Sequence, residues 1–418
     1  MSKLVICERD ELISIANAIR YKTGKTDELH ISKMASEIQN IVTRPNLQSK
    51  TVTPTTAQQI IIADDNYDGL DAVTVQGDIN LISENIKNGI SIFGIDGNYE
   101  GGGNNANTEI EDSLISGNLT SYENNRITNI GDYVFYGYST LSNVSFPSCT
   151  SIGSLAFRDC TNLSNISFPN CTYIGAGAFS SCKQLSTASF PTCSRIDGYA
   201  FANCTSLSNV SFPICVRISN YAFSSCTKLS IVNLPSCQFI GSAAFVGCTT
   251  LSTASFPVCT NISSSAFSGC TKLSNISFPA CKTIDGYAFV NCTSLSNVNL
   301  PECKTIGTHA FRSCTNLTTI NLPSCRTIDS YAFSGCKKLS TIHLPVCSSM
   351  GSYAFNSCST LTTIYLTASS VCTLASSNAF ATTGITSTTG SIYVTASLVD
   401  SYKAATNWKY FSNIIYSA

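Results

Sequence analysis

Cysteine is the residue type best able to do chemistry in this chain, and its spacing is regular. The 418 residues include 22 cysteines, twenty of which stand at every eleventh position from Cys149 to Cys358. Thiols so arranged can hold a metal, form disulfides or simply pack. Metal binding fits poorly, because ligands eleven residues apart lack the C-x2-C clustering of zinc sites and only three histidines are present. Disulfides are open on distance if these residues stack like neighbouring strands, at about 4.8 Å, which lies inside the bridging range. In-register parallel side chains nevertheless aim poorly at one another, and the start, Met1 to Arg9, lacks the apolar stretch of a secretory leader. The best reading is two columns of buried thiols acting as small apolar groups. One follows a proline (Cys149 to Cys347) and the other follows Ala-Phe (Cys160 to Cys358), so that they line two walls of one core. His30, His309 and His343 fall in different modules or columns, and no Ser-His-Asp, paired-carboxylate or phosphate-loop arrangement emerges. The chain is expected to be no enzyme and to need no cofactor or metal.

What positions the cysteines is a repeat. The unit Ile152 to Tyr173 is 22 residues long and recurs without insertion or deletion over about half the chain. Phe recurs at every 22nd position from Phe135 to Phe355, Leu from Leu141 to Leu361 and Pro from Pro147 to Pro345. Such strictness implies a solenoid, in which each coil buries its apolar side against the next. Ala156, Phe157 and Cys160 at i, i+1 and i+4 predict a short helical turn. Asn165-Ile166-Ser167-Phe168 alternates polar and apolar as a strand does, Pro169 ends it, and Ile174-Gly175 begins the next turn.

The pattern Ile-Gly-x-x-Ala-Phe-x-x-Cys-x-x-Leu-x-x-Ile-x-Phe/Leu-Pro closely resembles the BspA-type leucine-rich repeats, from about Asp112 to Ala418. The resemblance implies an α+β repeat solenoid with a parallel β-sheet, and a role in adhesion and recognition instead of chemistry. The expected organisation is a helical segment over 1–45, a small β-rich module and Gly/Asn linker over 46–106, the solenoid with its N-terminal cap over 107–366, and a C-terminal cap over 367–418. In the helical segment, Arg9 to Tyr21 and Ile31 to Ile41 each place apolar residues on one helical face. In the module, Thr51–Pro54, Gln59–Ile62, Ala72–Val75 and Ile90–Gly94 read as strands. Leu119, Tyr122, Ile127 and Ile130 already keep the repeat phase and form a degenerate capping unit. At the other end Thr367 replaces the proline, Phe380 arrives three residues late, and Ala396 to Tyr410 reads as a closing helix with Trp408 in cap packing. Leu12 to Ile41 and Asn85 to Gly101 also look like segments of tail-associated proteins from phages of Gram-positive bacteria, in which an N-terminal attachment region precedes a recognition module.

Three surface columns are candidate binding sites. The strand face carries rows of short amides and hydroxyls, one row ending in Asn299, Asn321, His343 and Tyr365. The position two before each Phe places Tyr287, His309, Tyr331 and Tyr353 in an aromatic stripe, and Tyr199 and Tyr221 in a shorter one. Lys282, Lys304 and Arg326 form a basic row, with Arg195 and Arg217 in the adjoining column and Asp285 and Asp329 as expected partners. The competing reading of each column is structural: a solvated sheet, a coil-sealing tyrosine and a paired flank, respectively.

Charged residues make up only 12% of the chain and the net charge is −1. That balance divides into 15 acidic and 9 basic residues over 1–110 (net −6) and 10 acidic and 15 basic over 111–418 (net +5). A charge of +5 spread over so long a solenoid argues against nucleic acid, which needs clustered Lys/Arg. No run of about 18 apolar residues predicts a membrane span. The expected role is that of a phage tail or tail-fibre receptor-binding protein, made in the host cytoplasm and located in the virion. Its solenoid would meet a host cell-surface glycan or protein, and residues 1–106 would meet other tail proteins. Fibre proteins are commonly trimers, so a homotrimer is an expected assembly, although no heptads support it. The alternatives are a BspA-like bacterial surface adhesin and a cytoplasmic protein-binding scaffold.

Overall fold

The computed structural model describes residues 119–386 and 390–418, together with the backbone of four short strands further upstream. The chain divides into two compact units, Met1–Asn105 and Ala106–Ala418. In the first, Gln59–Ile61 pairs antiparallel with Val73–Val75, and Ser91–Ile92 with Ile95–Asp96. The strands expected at Gln59–Ile62 and Ala72–Val75 therefore form a pair, and within the apolar run Ile90–Gly94 the described strand is Ser91–Ile92. The helices expected over 1–45, the strand at Thr51–Pro54 and the linker lie outside the described residues.

The second unit is a parallel β-solenoid. Three-residue strands such as Asn143–Ser145 and Asn165–Ser167 pair in register with the strand one coil on. They form short sheets of two to four strands. The long sheet lies elsewhere. Two-residue strands from Asn129–Ile130 to Thr373–Leu374, half of them ending just before a glycine, join into one parallel sheet of 12 strands among the described residues. In the sequence, Ile-Gly marks only the start of a turn, because two residues are too few to show alternation. The coils approach closely here: a Cβ on Gly153 would lie 2.5 Å from the Gly131 carbonyl carbon.

The expected helical turn around Ala-Phe does not form. Leu155 and Asp159, on either side of Ala156-Phe157-Arg158, take φ of 59° and 60°. Arg158 N–H donates to Leu155 C=O and Cys160 N–H to Phe157 C=O, closing two successive turns. The amides of Leu155, Phe157 and Asp159 instead donate to Ala176, Ala178 and Ser180 of the next coil, at 2.7–2.9 Å. Left-handed residues at Leu155 and Asp159 thus leave alternate amides pointing along the rod, where the next coil supplies acceptors. A helix would have spent those donors within its own coil.

The core is a set of columns. The Phe135-to-Phe355 column is fully buried, with successive rings such as Phe157 and Phe179 stacked nearly parallel at 5.1 Å and 1°. A second column through Phe146, Phe168, Phe190 and Phe212 meets it edge-on, as Phe168 meets Phe179 at 5.9 Å and 67°. Both cysteine columns are completely buried as free thiols, as the spacing predicts. Their S–H groups still find acceptors. Cys149 donates to Ser151 C=O at 3.1 Å, within its own coil, and Cys160 donates to Phe135 C=O at 2.9 Å, one coil back.

At both ends of the described solenoid the repeat changes. Tyr122 stands where later coils have Val144 or Ile166 and lays its ring over Phe146 at 5.5 Å. The three-residue delay near the C-terminus is absorbed, so that Phe380 rejoins its column at 5.9 Å from Phe355. Trp408 is fully buried and donates from Nε1 to Cys372 C=O at 2.6 Å. The closing helix is shorter than expected. Only Val399–Ala404 is α-helical, Trp408–Ile414 is a 3-10 helix, and Ile415–Ser417 adds a last parallel strand beside Ser391–Val394.

Candidate recognition surface

The third residue of each three-residue strand points outward and stacks on its equivalent one coil away. Down this row the side chains are small at first and then grow. Asn321 Nδ2 donates to Asn299 Oδ1 at 2.8 Å, extending the sheet by an amide rung. The next residue is His343, exposed, and its ring lies 4.3 Å and 7° from that of Tyr365. The stack continues beyond the residues named from sequence, to Tyr393 at 4.9 Å and Tyr416 at 5.9 Å. Strand pairing explains this: His343, Tyr365, Tyr393 and Tyr416 are register partners in one four-stranded sheet. Tyr393 and Tyr416 fall 28 and 23 residues after their predecessors, so the 22-residue count misses them.

Short amides giving way to tall rings leave a step. In front of it lies a shallow trough of about 640 Å³, lined by Asn275, Asn297, Asn299, Thr319, Asn321 and, at its end, His343. Its floor is Ile276, Val298 and Ile320, of which Ile276 is partly exposed. The trough offers amide and hydroxyl donors and acceptors over a narrow apolar floor, closed by an imidazole. Such a surface suits polyhydroxylated or peptide ligands, which need many weak hydrogen bonds and one anchoring wall.

The second aromatic stripe is continuous as well. Tyr287, His309, Tyr331 and Tyr353 stack at 4.7, 4.8 and 4.9 Å with interplanar angles of 5–9°. Asn378 Nδ2 then donates to the Tyr353 hydroxyl at 3.2 Å. Tyr199 and Tyr221 make a separate pair at 4.8 Å. Every residue of this column has φ near +60°, Leu155 and Ser265 included, so the conformation belongs to the fold and not to the aromatics. Because the rings cover each other's faces, a partner meets ring edges and hydroxyls instead of open π surfaces. His309 is held below its usual pKa by burial and by nearby Arg312, and its Nδ1 is buried without a hydrogen-bond partner.

The basic columns separate. Arg195 pairs with Asp197 at 2.8 Å, the same carboxylate accepts from the Tyr173 hydroxyl at 2.6 Å, and Arg217 lies over the Phe239 ring at 4.2 Å. Lys282, Lys304 and Arg326 are exposed, and the expected pairing with Asp285 and Asp329 does not occur. Ion pairs among the described residues join Arg158 to Asp159 and Arg195 to Asp197. Asp285 instead accepts from Asn261 Nδ2 at 3.5 Å, and Asp329 is partly desolvated, which raises its pKa. Burial also drives most of the thiols up, Cys149 to about 11 and Cys171 and Cys204 to about 12, which removes thiolate chemistry at these positions at neutral pH.

The model of the BspA-type leucine-rich repeat region matches residues 116–229, 194–302, 216–324 and 282–397, more than half of the chain. The chain belongs to the BspA-type leucine-rich repeat family. In this BspA-type protein the aromatic ladders and the trough all lie on positions the repeat leaves variable. Leucine-rich repeat proteins are in general non-enzymatic binding scaffolds, and the role that follows is recognition or adhesion. Among solved structures, the solenoid is similar to a leucine-rich repeat protein from Bacteroides ovatus (23% identity, 66% of this chain and 84% of that one, TM-score 0.43). It is also similar to a leucine-rich cell surface protein from Faecalibacterium prausnitzii (22%, 72% and 82%, TM-score 0.40). The Treponema pallidum leucine-rich repeat protein is 27% identical over 43% of this chain and 79% of its own, with a TM-score of 0.32. No curated protein matches the sequence.

Proposed function

We propose that this protein is the host-recognition component of a phage tail or tail fibre. In this reading the trough and the His343–Tyr365–Tyr393–Tyr416 ladder contact a glycan or protein on the host cell, and residues 1–106 engage other tail proteins. The observation that carries the recognition reading is the step from the Asn299–Asn321 amides to the stacked rings, a built relief on an otherwise uniform rod. The virion assignment is supported by the likeness of Leu12–Ile41 and Asn85–Gly101 to tail-associated segments. A bacterial surface adhesin is the second reading, and membership of the BspA-type family favours it.

Immunogold microscopy of a lysate, with antibody against the solenoid, separates the two. Gold at tail tips or fibres is expected, and gold confined to cell envelopes would assign the protein to the bacterial surface. The recognition surface is tested by His343→Ala with Tyr365→Ala, exposed or half-exposed positions that leave the core untouched. Binding to target cells should fall at least about tenfold, or about 1.4 kcal/mol. Unchanged binding would move recognition off this row.

A further inference from the structure

A different ladder carries a second surface. Lys282, Lys304 and Arg326 occupy one column on successive coils, where every other coil from Thr128 to Ser348 has an uncharged residue. They are direct neighbours: Lys304 N–H donates to Lys282 C=O at 2.8 Å and Arg326 N–H to Lys304 C=O at 2.9 Å. Like charges on adjacent rungs repel and lower stability, and no ion pair among the described residues neutralises these three. In a chain this poor in charge, three consecutive cations are a departure that the fold does not require.

A second observation lies beside them. Thr283, Thr305 and Thr327, the residues that follow each cation, are in-register partners in the long sheet and partly exposed. Elsewhere, hydroxyls on the coils are tied to the backbone of the coil before, as Thr150 is to Thr128 C=O and Thr318 to Ser296 C=O. The hydroxyls of these three threonines make no hydrogen bond among the described residues. Three cations and three unengaged hydroxyls thus repeat together at the strand spacing, about 4.8 Å. Asp285 and Asp329, on a neighbouring column, form no ion pair with the row.

We propose that this face binds a linear polyanion laid along the rod, with successive anionic groups meeting successive coils. Each cation would supply charge and each adjacent hydroxyl a hydrogen bond to phosphate or carboxylate oxygen. Nucleic acid fits less well, because the aromatic side chains on the same coils, Tyr287, His309 and Tyr331, stack on one another and cover most of the faces a base would need.

The test uses the full chain with long-chain polyphosphate and with polygalacturonate as probes, at low and at raised salt. At least one polymer should bind, and binding should weaken as salt rises. Lys282→Gln/Lys304→Gln/Arg326→Gln should lower affinity at least about tenfold and release about three fewer counterions. Lys304→Arg, which keeps the charge, should bind as the parent does. The tighter-binding polymer identifies the anion as phosphate or carboxylate. The proposal is overturned if neither polymer binds, if the triple variant binds equally well, or if a mixed-sequence oligonucleotide binds more tightly than both. None of these results bears on the trough, which lies on other strands.

Discussion

Phe245 tests the idea that the rod is held by its aromatic column. It is fully buried between Phe223 at 5.3 Å and 1° and Phe267 at 5.2 Å and 7°, with Phe256 against its edge at 6.0 Å. Phe245→Ala removes one ring and strands three others. Core Phe→Ala changes cost about 3–5 kcal/mol, and the value depends on how far the surroundings collapse into the cavity. Collapse is restricted here, because Phe245 N–H donates to Ala266 C=O and Phe223 N–H to Ala244 C=O, both at 2.8 Å. These ladders fix the separation of the coils. The expected loss is therefore at the upper end, about 4–5 kcal/mol, while Phe245→Leu, which fills most of the space, should cost about 1–2 kcal/mol. In a nearest-neighbour solenoid the damage falls on one coil and its two interfaces, so urea unfolding should lose cooperativity as well as shift. Amide exchange should accelerate around residues 223–267 before it does at the ends. A loss below about 1 kcal/mol, with a single undistorted transition, would refute the reasoning. It would mean that the backbone ladders hold the rod without the rings.

The other predictions concern protons and the cap. Thiols whose folded pKa is raised by burial stabilise the fold below their unfolded pKa, near 8.5, and lose that contribution as pH rises. Melting temperature should therefore fall steeply above about pH 9, and native protein at pH 8 should resist a thiol reagent that reacts fully in denaturant. A melting temperature flat to pH 11 would contradict the burial of these groups. His309 has the opposite sign. Its folded pKa is lowered, so its contribution is present above the unfolded value, near 6.5, and is lost as pH falls. His309→Tyr, which restores the column's commonest aromatic, should shrink the difference in melting temperature between pH 5 and pH 7.5. Trp408→Phe leaves Cys372 C=O without its donor and should destabilise the C-terminal cap by about 1–3 kcal/mol, seen as early exchange over residues 372–418.

The repeat made the columns legible: Phe157, Leu163, Cys149 and Cys160 are all buried as their period demands, because a strict period fixes which residues face each other. Backbone conformation was harder to read. The i, i+1, i+4 spacing of Ala156, Phe157 and Cys160 is met equally by a helical turn and by two tight turns with left-handed residues at Leu155 and Asp159. Gly137, Asn203 and Gly247 two residues after Phe, types that tolerate positive φ, were the signal for the second. Tyr287 at φ 61° gave none, since tyrosine has no preference for that region. On the candidate surface, Asn299, Asn321, His343 and Tyr365 were found because they are still in phase. Tyr393 and Tyr416 were missed because the cap's insertions shift the count while strand pairing preserves the row.

The bonds that join coils, such as Thr172 N–H to Thr150 C=O and Gly175 N–H to Ile152 C=O, run between backbone atoms at fixed offsets in the chain. A coil therefore docks on its neighbour whatever side chains either one displays. Loss or duplication of one whole 22-residue unit would leave every column continuous. It alters only length, in steps of about 4.8 Å. The rod is thus built as a ruler: its reach is set by the number of units, while the faces it carries stay intact.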